Sequence, residues 1–122
     1  MTEAKARARI REMATLSINW DGCGSSPPTS RQTRAATQLL DLLVANGLAV
    51  AISAITVCPS GEPLFDFVGV NRASIVVAYP LDWVIILRDY RAAIQPLAKT
   101  DTAGVVAMLG KFLKGELALP DS

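Results

Sequence analysis

A chain of 122 residues with 51% hydrophobic and 19% charged side chains can bury one independent core, and a net charge of +1 builds no global field for nucleic acid. It contains no histidine, which excludes His-based triads, Cys–His dyads and the usual catalytic zinc sites. Cys23 and Cys58, its two cysteines, form neither a disulfide framework nor a metal-ligand spacing.

Residues 3–16 read as a helix. At about 100° per residue, Ala6, Ile10 and Met13 share a narrow apolar stripe, flanked by Lys5 and Arg9 on one side and by Arg7 and Arg11 on the other. A basic arm for nucleic acid would use the same cations. Glu3 and Glu12 dilute the charge and no aromatic residue is interleaved for base stacking, so a solvated helix is the preferred reading. The segment lacks an apolar signal-peptide core, and no apolar run approaches the ~20 residues of a membrane-spanning helix, so a cytoplasmic location and no membrane partner are expected.

Trp20-Asp21-Gly22-Cys23-Gly24-Ser25-Ser26-Pro27-Pro28 then interrupts the chain. The glycines permit positive φ and the prolines enforce extended geometry, so neither helix nor strand continues. Two readings compete. Glycine amides ahead of a helix could cradle an anion, with Arg31 and Arg34 close by and Cys23 as a reactive thiol. The alternative, which is preferred, is a structural turn pinned by a buried Trp20, a ring whose burial is worth roughly 2–3 kcal/mol. No phosphate-loop fingerprint is present.

Asn19-Trp20-Asp21-Gly22-Cys23-Gly24 followed by Pro27-Pro28, a serine and a helix resembles a group of small bacterial and phage-borne hypothetical proteins. In that group a Trp-Asp-Gly-Tyr-Gly-Ala motif precedes prolines, a helix and a strand–turn–strand, which here would be Val57 to Phe67. The resemblance spans roughly residues 16–90. This chain departs from it at Cys23 and Ser25, where an aromatic residue and alanine are usual. The resemblance implies a fold and a phage or mobile-element setting; it implies no mechanism.

Residues 30–46 read as a second helix. Ser30 or Thr29 supplies its cap, Ala36, Leu39, Leu40 and Leu43 its buried stripe, and Asn46-Gly47 its stop. Strands are expected at 53–58, 63–68, 73–79 and 82–89, with short connections that make them antiparallel neighbours. In the second of them Leu64, Asp66 and Val68 share one face and Phe65 and Phe67 the other. The last two are apolar on both faces, so a cover on the second face is expected, from this chain or another subunit. Residues 89–99 are poorly patterned, and Pro96 breaks any helix there. A last helix is expected at 101–114, capped by Thr100-Asp101, with Val105, Met108, Leu109 and Phe112 as its stripe.

The expected fold is α+β, a mostly antiparallel sheet of about four strands with about three helices packed on it, in a single domain over 1–122. No catalytic, cofactor or metal residues are assigned. Asp66 and Asp82 are the candidate carboxylate pair, and sheet-edge positions explain them as well. Low charge and high apolarity predict an exposed apolar patch and hence a partner. The first expectation is therefore a non-enzymatic cytoplasmic interaction module, an inhibitor or antitoxin-like protein that binds a protein partner or a second copy of itself. The candidate contact residues are Arg7, Arg11, Trp20, Asp21, Arg31 and Arg34. A nucleic-acid accessory protein using the basic helix is the alternative, and a Cys23-dependent enzyme or anion site the third.

Overall fold

The computed structural model describes residues 1–77, 83–87, 93–97 and 102–116. Helix α1 (Glu3–Met13) starts at Thr2, whose side chain accepts from the Lys5 amide, and it buries Ala6, Ile10 and Met13 as its stripe requires. Helix α2 (Ser30–Ala45) starts in a reciprocal cap. The Thr29 hydroxyl accepts from the Gln32 amide at 3.1 Å, and the Gln32 side chain accepts from the Thr29 amide at 2.8 Å. It ends at Asn46, after which Gly47 takes φ 71°. A single 3-10 turn (Ala49–Ala51) leads into the sheet.

Five antiparallel strands follow in simple meander order: β1 (Ile52–Val57), β2 (Pro63–Val68), β3 (Arg72–Val77), β4 (Trp83–Leu87) and β5 (Ala93–Leu97). Helix α3 (Thr102–Leu113) closes the described chain. The α+β class and its antiparallel sheet are as expected, and the strand number is corrected from about four to five. The added strand, β5, lies in the stretch judged poorly patterned, and it carries Pro96. An edge strand has one unpaired side, so a residue without an N–H is tolerated there. The expected Thr100-Asp101 cap and Asp82 lie outside the described residues.

Register sets the faces. Phe65 pairs with Ile55 and Ile75, and Phe67 with Ala73, placing Ile52, Ile55, Phe65, Phe67, Ala73, Ile75 and Val77 on one buried face. That face forms one core with Ala6, Ile10 and Met13 of α1, Leu39, Leu40 and Leu43 of α2, and Leu109 and Phe112 of α3. Leu64, Asp66 and Val76 occupy the opposite face; they are half-buried, and neither Leu64 nor Val76 belongs to that core.

The β2–β3 turn is tied to the end of α3. Val70 N–H donates to the Leu113 carbonyl at 2.7 Å, and Asn71 Nδ2 to the Phe112 carbonyl at 2.9 Å. The first satisfies a helix-end carbonyl that α3 leaves open, and the second adds to the bond that the Phe112 carbonyl accepts from the Gly115 amide at 3.1 Å. A Cβ on Gly69 would stand 2.4 Å from the Leu113 carbonyl oxygen, so only glycine lets the turn approach this closely.

Candidate functional site

The loop between α1 and α2 is a closed hydrogen-bonded unit. Asn19 adopts a left-handed φ of 63°, Gly22 77° and Gly24 80°, values that asparagine and glycine reach most readily. The Asn19 amide donates to the Ser25 carbonyl at 2.7 Å, and the Gly22 amide to the Asn19 carbonyl at 3.1 Å. The Cys23 amide donates to Asp21 Oδ1 at 2.9 Å and the Gly24 amide to Asn19 Oδ1. The Ser25 hydroxyl donates to Asp21 Oδ2, and the Ser26 amide to the Pro59 carbonyl at 2.9 Å.

Both glycine amides of the loop, and the Cys23 amide between them, are thus engaged within it, by the Asn19 carbonyl, Asn19 Oδ1 and the Asp21 carboxylate. These internal bonds are what the preferred reading, a structural turn, calls for, and they occupy the glycine amides that the competing anion-cradle reading would use.

The Ser25 hydroxyl bond, with the Cys23 amide next, holds the Asp21 carboxyl below its ordinary value of 3.8. A depressed folded value means a stabilising contribution that is present above the ordinary carboxylate range and is lost as pH falls through the folded value. In a carbon-detected titration, Asp21 is expected to titrate below the ordinary range in the intact chain and to return toward it in Ser25→Ala. An unchanged midpoint would mean that the hydroxyl does not set it.

Trp20, expected as a buried peg, is covered only in part. It is half-buried, and its Nε1 donates to the Ser26 carbonyl at 2.7 Å, so the ring closes its own loop. Its open side lines a cleft of about 330 Å³ with Met13, Leu16 and Val57 as apolar walls and Arg9 and Glu12 at the rim. Arg9 is fixed from both ends. Its Nη1 meets Glu12 Oε2 at 2.8 Å, and its Nε donates to the Ile55 carbonyl of β1 at 2.8 Å.

The other candidate residues separate into two groups. Arg7 bonds Asp41 of α2 at 2.8 Å and lies 3.6 Å from Glu3. The Asp41 bond holds its guanidinium proton more firmly than usual. Arg7 is therefore a strut between α1 and α2. Arg11, Arg31 and Arg34 are exposed, and none forms an ion pair among the described residues.

Cys23 is a free thiol exposed at the loop surface, and its backbone amide donates to Asp21. Cys58 is half-buried; burial first, then the nearby Glu62 and Asp66, push its thiol above the ordinary value, so it stays protonated. Asp66 accepts from the buried Ser74 hydroxyl on the second sheet face. Among the described residues no group of three or more acidic or cysteine side chains could hold a metal ion, and no helix is long and apolar enough to cross a membrane.

The sequence names Arg9 only as one of the basic-helix cations and Val57 only as the start of a strand–turn–strand, and it joins neither to the Trp20 cleft. The only signal for Arg9 was its spacing of three from Glu12, which puts the two side by side on a helix. Nothing local distinguishes Val57 from its strand neighbours. No family model, no curated protein and no solved structure matches this chain.

Proposed function

We propose that this chain is a non-enzymatic protein-interaction module, a small inhibitor or antitoxin-like protein of a phage or mobile element that works in the cytoplasm by holding a macromolecular partner. The observation that carries the reading is the second face of the sheet. Leu64 pairs with Thr56 on one side and Val76 on the other, and all three are half-buried yet separate from the core that the helices cover. In a chain with only 19% charged residues, such a face gains by being covered.

The test is native mass by light scattering, on the purified chain and on the chain recovered from nuclease-treated host lysate. A defined complex is expected, and the pair Leu64→Glu and Val76→Glu is expected to dissolve it while the circular dichroism spectrum is kept. A strict monomer without a partner that turns over a small metabolite would overturn the reading.

One observation favours a second reading. Arg11, Arg31 and Arg34 are exposed cations outside any ion pair among the described residues, as phosphate contacts require. A nucleic-acid accessory protein would bind with a steep salt dependence, and reversing the charge at Arg11 and Arg34 would flatten it.

A further inference from the structure

β1 is an edge of the sheet, and its two ends are treated differently. The Cys58 amide donates to the Glu62 carbonyl at 2.8 Å. Antiparallel alternation then turns Thr56 and Ala54 toward β2, and Val57 and Ile55 outward. The outward groups of β1 are covered where α1 runs past. The Met1 amino group donates to the Ile52 carbonyl at 2.7 Å, and Arg9 Nε takes the Ile55 carbonyl at 2.8 Å. Helix α1 stops at Met13. Beyond it the N–H of Ile55 and both the N–H and C=O of Val57 have no partner among the described residues. The cleft lined by Met13, Leu16 and Trp20 opens beside Val57.

Charge narrows what could fill it. Arg9 and Glu12, the charged groups of the rim, neutralise each other at 2.8 Å, so the cleft holds no net charge to recruit an ion. Two outward donors and one acceptor in strand spacing, next to an apolar cleft, are complementary to one kind of ligand, an extended main chain with an apolar side chain.

We propose that the end of β1 and the Trp20 cleft together form an acceptor site for an extended peptide segment of a partner protein. The segment pairs with Ile55 and Val57 and places an apolar side chain between Met13, Leu16 and Trp20. The proposal rests on the interaction reading only in taking the partner to be a protein. A second copy of β1 fits poorly. Pairing about Val57 would set Ile55 against Pro59, which has no N–H and whose carbonyl is already taken by Ser26 at 2.9 Å.

The test uses a displayed library of linear heptapeptides panned on the full chain. The selected peptide, with blocked ends, is then titrated against the nitrogen-labelled protein. Binding is expected to shift the Ile55 and Val57 amide resonances, slow their hydrogen exchange and move the Trp20 indole signal. Val57→Pro deletes the outward N–H at an edge position that tolerates proline, and is expected to weaken binding at least about tenfold. Trp20→Ala is expected to weaken it similarly, and Val57→Thr, which keeps the main-chain groups, to bind within about threefold of the unsubstituted chain.

A library that yields no binder overturns the proposal. So does a peptide that leaves both amides unperturbed, or a β1-paired dimer in place of a peptide complex. If Val57→Pro does not fold, amide exchange in the unsubstituted chain decides. A chain that fails here yet still forms a defined complex by native mass loses this site and keeps the interaction reading.

Discussion

Phe65→Ala is expected to lower the free energy of unfolding by about 3–5 kcal/mol, read as a shift of the urea midpoint at constant slope. Phe65 is fully buried and sits between Ile55 and Ile75 in register, with the helices packed on the same face. Two strand residues and the helical layer therefore close around one ring, and they cannot collapse into its place without breaking the register of two strand pairs. For a domain whose total stability is typically 5–15 kcal/mol, this loss is a large share. Leu64→Ala, on the opposite face of the same strand, is expected to cost less than half as much, because Leu64 is half-buried and outside that core. Equal losses at the two positions would show that the second face is packed as tightly as the first.

Gly61→Ala is expected to cost about 2–4 kcal/mol, combining an unfavourable backbone conformation with a contact that has no room. Gly61 adopts φ 100° in the β1–β2 turn, and a Cβ there would stand 2.8 Å from the Pro27 carbonyl oxygen. The same turn receives the Ser26 amide at Pro59. The added methyl would thus push the Trp20 loop off the hairpin, and tryptophan emission should move to the red. Gly47→Ala is the control. Its φ is 71°, but no described residue lies within 4 Å of the new Cβ, so only the backbone cost of about 1–2 kcal/mol remains. The difference between the two substitutions isolates the contact between loop and hairpin. If Gly61→Ala cost no more than Gly47→Ala, the loop would not be docked there.

Both helices of the N-terminal half were legible in the sequence because their stripes follow the helical period closely. Ala6, Ile10 and Met13 in α1, and Ala36, Leu39, Leu40 and Leu43 in α2, are buried as their spacing requires. Strand β2 was read to the residue, because Pro63 and Phe65 to Val68 alternate cleanly between turns on both sides. Strand β5 was not, since Pro96 argues against regular structure until a neighbouring strand supplies the pairing from one side. The loop was legible as a loop, through Asp21-Gly22, Cys23-Gly24 and the two prolines. Which way its amides point was not legible, because Asn19 and Asp21 reach them only once the chain has turned.

What the sequence by itself determined is local in origin. It set the helical stripes, the turn positions, the α+β class, and the absence of histidine chemistry, each of which depends on residues a few positions apart. Only the tertiary structure decided which strand is an edge, which carbonyls Arg9 and Met1 cover, that Trp20 stays half open, and that the Val57 main chain faces outward with no partner among the described residues. Those properties depend on register and on groups up to about fifty residues apart, such as Met1 and Ile52. A one-residue slip in pairing would turn the outward groups of β1 the other way while leaving local propensities unchanged.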